Sequence, residues 1–266
     1  MAMIDEILEQ TKKLKDMTPK QKWEYFWEYY KWWAIGIVVG IICLISMIRD
    51  IVNSRQDAFY MVMINAGMDA VYEEPTKEWR NEMEIAFGIN QKKYQVSIDP
   101  NLTLTNNMDS QMDYSSMEKI MALAGARSLD VMVANTAIFE FYAQSDFYYK
   151  LEDVLTPEQY ERLKPYFYYT DEATKAKEEV NTFAEQTQLK EKKLALKIDH
   201  NDPSTMEEPV AVGIYTKYSD KMNSLGCYEY AQYAEYQGYP EAGVFAIALS
   251  AYNLDYARAC VDYFFP

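Results

Sequence analysis

Residues 32–48 read WWAIGIVVGIICLISMI, a run without a single charge, and Ile51 and Val52 carry the apolar pattern past Arg49 and Asp50. At about 1.5 Å per residue, a helix over 32–52 spans roughly 30 Å, the thickness of the hydrocarbon core of a bilayer. A helix on the surface of a soluble core keeps a polar face, and this one has none. The pattern predicts one transmembrane helix over 32–52, with a fully buried core helix as the competing reading. Arg49 has a stem long enough to snorkel to the far interface.

The polar positions before this run orient it. Lys12, Lys13, Lys15, Lys20, Lys22 and Lys31 precede the span, and only Arg49 and Arg55 follow it closely. The excess of lysine predicts a cytoplasmic N-terminus and an extracytoplasmic C-terminal part in the cell membrane. Thirty-one residues precede the run and no A-x-A pattern follows it, which argues against a cleaved signal peptide. Ile42 before Cys43 argues against a lipid attachment site.

Within residues 1–31, Thr18 and Pro19 read as the cap and first turn of a helix. Trp23, Phe26, Trp27 and Tyr30 then recur at helical spacing. Such a face suits the interfacial layer of a membrane or a partner protein. Gly36 and Gly40 fit the small-xxx-small spacing that lets two helix backbones approach, in another protein or in a second copy.

Beyond Arg55 the pattern alternates between period 2 and period 3.6. Strands are expected at 58–65, 94–98, 129–134, 194–198, 209–215 and 244–249. Helices are expected at 76–87 with Thr76 as cap, from Ser115 or Ser116 to 126, at 136–144 and at 254–265. Residues 99–114 read as a loop, and 170–193, charged and poor in large apolar residues, as an exposed helix or helix pair. The strand and helix order predicts an α/β domain over 57–266, a mostly parallel sheet covered by helices.

Composition narrows the chemistry. The chain carries a net charge of -15, and residues 57–266 hold eighteen Lys and Arg against thirty-four Asp and Glu. That part would be repelled by phosphates, so no nucleic-acid partner is expected. Cations, small polar ligands, peptides or basic protein surfaces suit it better. No GxSxG, HExxH, phosphate-binding glycine loop or CxxC occurs. No catalytic residue, cofactor or metal is therefore assigned. His200, the single histidine, lies in a DHND turn where a weak metal site and a solvated turn compete. Cys227 and Cys260 suit two buried thiols or a disulfide. Tyr228, Tyr230, Tyr233, Tyr236 and Tyr239 form a stretch suited to surface packing or to stacking on sugar or peptide.

The segment AGARSLDVMVAN at 124–135, followed by Phe139, Tyr142 and LEDVL at 151–155, resembles extracellular solute-binding proteins of the type 2 periplasmic-binding-like class. There, too, a helix ends near a glycine, a strand starts on an aspartate and a short turn follows. Val212, Gly213 and Ile214 and the closing helix from Asn253 are similar to the late strand and last helix of that class. The YYKWW edge at 29–33, with the span behind it, resembles single-pass bacterial membrane proteins of Firmicutes type. The resemblance implies a recognition module accessory to a transporter or another membrane complex, reduced to one lobe by its small size. The alternative is a structural assembly subunit acting through the span and the juxtamembrane helix.

Open α/β sheets hold ligands beyond the carboxyl ends of their strands. This selects Asn65, Gly67 and Asp69 after the first strand, Asn135 and Thr136 after the third, and Tyr215 and Thr216 after a later one. The partner-helix candidates are Trp23, Phe26, Trp27, Gly36 and Gly40.

Overall fold

A computed structural model describes residues 18–66, 73–105, 110–173, 199–228 and 243–266. Expectations for residues 1–17, for the insert beyond residue 173, for the strand at 194–198, and for Gly67, Asp69, Tyr230, Tyr233, Tyr236 and Tyr239 lie outside the described residues. The chain divides into two compact units between Ser54 and Arg55.

The first unit holds two helices, α1 (Pro19–Tyr29) and α2 (Lys31–Asn53), which share Tyr30 as a cap. Thr18 Oγ1 accepts the N–H of Gln21, and Gln21 Oε1 accepts that of Thr18, so two orphan donors of the first turn are satisfied at once. Residues 31–50 of α2 are long and apolar enough to cross a membrane, and none of them is buried in the fold.

The second unit is a mixed six-stranded sheet with helices on both faces. Its strands are β1 (Gln56–Ile64), β2 (Tyr94–Asp99), β3 (Val131–Asn135), β4 (Phe167–Asp171), β5 (Pro209–Tyr215) and β6 (Gly243–Ile247). Their order across the sheet is β2-β1-β3-β6-β5-β4. β1 runs parallel to β2 and β3, while β3–β6, β6–β5 and β5–β4 are antiparallel. The expected mostly parallel sheet is thus corrected to a parallel half joined to an antiparallel half. A strand buried on both faces reads as the same apolar run in either direction, so pairing sense is not written in the local pattern.

β1 shows how the sheet is covered. Phe59, Met61 and Met63 enter the core beneath α3 (Glu73–Ala86) and α9 (Leu254–Phe264), with Trp79, Met83, Cys260, Val261 and Phe264. Val62 and Ile64 enter the opposite core beneath α4 (Gln111–Gly125) and α5 (Thr136–Ala143), with Ile120, Ile138 and Phe139. Each such fully buried side chain contributes roughly 1.5–3 kcal/mol, and the two cores explain why β1 shows no alternation.

Two helix starts differ from expectation. α3 starts at Glu73, ahead of Thr76. α4 starts after Ser110, whose hydroxyl accepts the N–H of Asp113 while the Asp113 carboxylate accepts that of Ser110. Ser115 has Glu118 at the same spacing, and what sets Ser110 apart is that Asp113 also binds Thr105 across the loop. β4 and the short helices α6 (Leu151–Val154) and α7 (Pro157–Leu163) were absent from the sequence reading. Only Thr170 and Asp171 of β4 fall in the charged stretch at 170–193, and the buried Phe167, Tyr168 and Tyr169 before it are too short an apolar run to announce a strand. A short helix, α8 (Asp220–Ser224), follows β5.

Candidate functional site

The carboxyl ends of β1, β2, β3 and β5 lie on one edge of the sheet with the amino ends of β4 and β6, as the strand pairings require. Asn65, Asn135, Thr136, Tyr215 and Thr216 gather there.

Asn65 ends β1 with a φ of 57°, a left-handed backbone that asparagine tolerates better than most side chains. Its Nδ2 donates to the carbonyl of Leu104 at 2.8 Å and to Asn135 Oδ1 at 3.0 Å. Its Oδ1 accepts the N–H of Leu104 at 3.0 Å, and its own N–H donates to the carbonyl of Leu102. The carboxamide thus imitates a strand partner for residues 102–104, and Leu102 and Leu104 are buried. Asp113 fixes the far end of the same loop by accepting from the N–H and hydroxyl of Thr105 and of Ser110. Burial would raise the pKa of this carboxyl, but the Ser110 and Thr105 donors outweigh it and hold it at about 2.

The β5–β6 end is filled as well. Thr216 is buried, and its hydroxyl donates to the carbonyl of Gly243 at 3.0 Å. Tyr228 lies over Gly243 so closely that a Cβ there would stand 2.6 Å from its ring, and its hydroxyl donates to the carbonyl of Val133. Thr136 is buried at the start of α5.

Tyr215 is different. It is 1% exposed, and its hydroxyl has no hydrogen-bond partner among the described residues. Burial, reinforced by the nearby charge of Asp199, pushes its pKa far up. Its ring lies 5.4 Å from that of Tyr168, whose hydroxyl donates to Glu140 Oε2 at 2.7 Å. His200 stacks on Tyr168 at 4.5 Å, with Nδ1 2.7 Å from the carbonyl of Tyr169. The half-buried histidine thus packs on an edge strand from within a turn over 199–202, whose other residues are exposed. Among the described residues no three His, Cys, Asp or Glu side chains come together to hold a metal. Cys227 and Cys260 are buried and share no disulfide.

The sequence reading missed Asp130 as a distinct group, although it noted the residue within a longer segment. It starts β3 at the opposite edge, where its carboxylate accepts the N–H groups of Tyr60 at 2.9 Å and Tyr252 at 3.2 Å. Burial, partly offset by the backbone donors of Tyr60, Asn253 and Tyr252, pushes its pKa up to about 6. An aspartate directly before a buried strand was the available signal.

In the first unit, Trp23, Phe26, Trp27 and Tyr30 are exposed along one face of α1. Trp23 stacks on Phe26 and Trp27, and Phe26 stacks on Tyr30. On α2, an added Cβ at Gly36 or Gly40 would meet nothing within 4 Å. Trp32, Trp33, Gly36 and Ile37 line an open hollow on α2. Compared with protein-family models, with curated proteins and with solved structures, the chain gives no match.

Proposed function

We propose that the chain is a single-pass, membrane-anchored assembly subunit, non-catalytic, whose N-terminus is cytoplasmic and whose α/β domain stands outside the cell membrane. In this reading α1 and α2 bind a membrane protein partner or a second copy, and the outer domain presents a folded surface to the complex. The observation that carries it is a contrast. The side chains of Asn65, Asn135 and Thr216 at the strand ends are engaged within the fold, whereas the aromatic face of α1 and the glycine notch of α2 are uncovered. Aromatic side chains presented together on a rigid helix are what binding hot spots are made of.

Replacing Trp23, Phe26 and Trp27 by Ala tests this, since Trp32, Trp33 and the apolar run remain to hold the protein in the bilayer. The variant should still insert and should lose the membrane proteins that copurify with the native chain in mild detergent. Retention of those partners would overturn the assembly reading.

A second reading, a solute-recognition module accessory to a transporter, has one observation in its favour besides the resemblance. The Tyr215 hydroxyl is buried at a strand end without a partner among the described residues, and a buried polar group of this kind is satisfied by whatever polar atom binds beside it. Recovery of a small polar molecule or peptide from the native protein, and its loss in Tyr215→Phe, would favour this reading over assembly.

A further inference from the structure

We propose that the groups gathered around the ring of Tyr168 form a binding site for a primary alkylammonium ion. The inference deepens the solute-recognition reading, on which it rests, by naming the chemical class of the ligand.

Three segments bring acceptors to this ring. The Tyr168 hydroxyl, on β4, donates to Glu140 Oε2, on α5, at 2.7 Å. His200 stacks on the ring at 4.5 Å, and its Nδ1 lies 2.7 Å from the carbonyl of Tyr169. A carbonyl only accepts, so Nδ1 carries the proton and Nε2 of the neutral imidazole is an acceptor. Tyr215, on β5, sets its ring 5.4 Å from that of Tyr168, and its buried hydroxyl has no partner among the described residues. Burial, and then the charges of Asp199 and Glu140, raise the pKa of that hydroxyl, so both carboxylates lie near it. Thr170, two residues beyond Tyr168 on β4, is a second buried hydroxyl without a partner among the described residues. Glu140 and His200 are half-buried and Asp199 and Lys217 exposed, and through them the cluster meets solvent.

Charge selects a cation. The two oxygens of Glu140 accept from neutral donors, the Tyr168 hydroxyl and the Gln144 amide at 3.3 Å. Among the described residues no Lys, Arg or His pairs with it. A carboxylate drawn partly out of water and matched only by neutral donors is complemented by a positive ligand. The Tyr215 ring already takes one, since Lys217 Nζ lies 4.7 Å from its centroid.

The donor set separates an ammonium from a metal ion. Hard cations collect about six or more oxygens, and among the described residues no three His, Cys, Asp or Glu side chains come together. An ammonium presents three N–H groups, which Glu140, the Tyr215 hydroxyl and His200 Nε2 match, and its alkyl chain suits the aromatic faces beside them.

The test titrates butylammonium, butanol and butyrate into the full chain in phosphatidylcholine nanodiscs. Saturation-transfer NMR reads the binding, with the signal of protein-free discs subtracted. Butylammonium should bind saturably and the other two should not. Glu140→Gln keeps an oxygen for the Tyr168 hydroxyl and should weaken binding roughly tenfold or more. Lys217→Ala, at an exposed position, removes a like charge and should strengthen binding about threefold. Weaker binding in Lys217→Ala, a preference for butyrate, equal binding of all three probes or binding of none overturns the proposal. So does butylammonium binding that survives Glu140→Gln. The recognition reading is decided separately, by the molecule recovered from the native protein. One without an amino group that Tyr215→Phe releases keeps that reading and overturns the ammonium site.

Discussion

The carboxamides of Asn65 and Asn135 meet at 3.0 Å although seventy residues separate them in the chain. Through this bond the ends of β1 and β3 are tied together, and Asn65 holds residues 102–104 with the rest of its hydrogen-bonding groups. A pair selected as ligand-binding from strand-end position is thus a clasp across the parallel half of the sheet.

Asn65→Ala should release that clasp. Three side-chain hydrogen bonds disappear and the Leu104 N–H and carbonyl lose their partner, so the loss should be about 2–3 kcal/mol. Denaturant unfolding should show a lower midpoint with an unchanged slope, and amide exchange should accelerate first at 102–105.

Asp130 and Asp113 should impose opposite pH dependences on stability. Asp130 has a folded pKa of about 6, above its ordinary 3.8, so the folded state holds its proton more tightly. Its contribution is fully present below about 4 and is lost as pH rises through 6, on the order of 2–3 kcal/mol. Asp113, with a folded pKa of about 2, contributes above its ordinary 3.8, and this is lost as pH falls toward 2. Asp130→Asn, which cannot ionise, should flatten the slope between pH 4 and 6. A slope unchanged in that variant would assign it to other groups.

Arg55 should matter to a soluble outer domain. Its guanidinium lies 3.2 Å from both carboxylate oxygens of Glu84, which is buried and also accepts the N–H of Val96. A fragment of residues 55–266 should unfold cooperatively, and one of 57–266 should be weaker by about 1–3 kcal/mol, since Arg55 is itself partly solvated. Glu84→Gln should recover part of the loss in the shorter fragment by removing the uncompensated charge while keeping the acceptor.

Orientation has a direct readout. Protease added to wall-free intact cells should digest the chain beyond about residue 55 and spare the N-terminal segment, as the lysine asymmetry requires. Loss of the N-terminal segment with survival of the α/β domain would reverse the topology.

The linear pattern by itself determined the apolar helix, the capped start of α1 at Thr18, the α/β class, and the existence of β1, β2, β3, β5, β6 and α9. Each rests on interactions within a few residues or on a periodicity of burial, and both are local properties. It also gathered Asn65, Asn135, Thr136, Tyr215 and Thr216 at strand ends, because polar residues after a buried run mark where a strand leaves the core. Only the tertiary structure decided that β6 returns antiparallel beside β3, since an apolar run buried on both faces carries no sign of direction. It alone decided that Asn65 bonds to Asn135 and Leu104, that Thr216 bonds to Gly243, and that the Tyr215 hydroxyl finds no partner among the described residues. Whether a strand-end polar group is consumed by the fold or remains available depends on what the crossovers bring opposite it, and partners tens of residues away leave no trace in the local sequence.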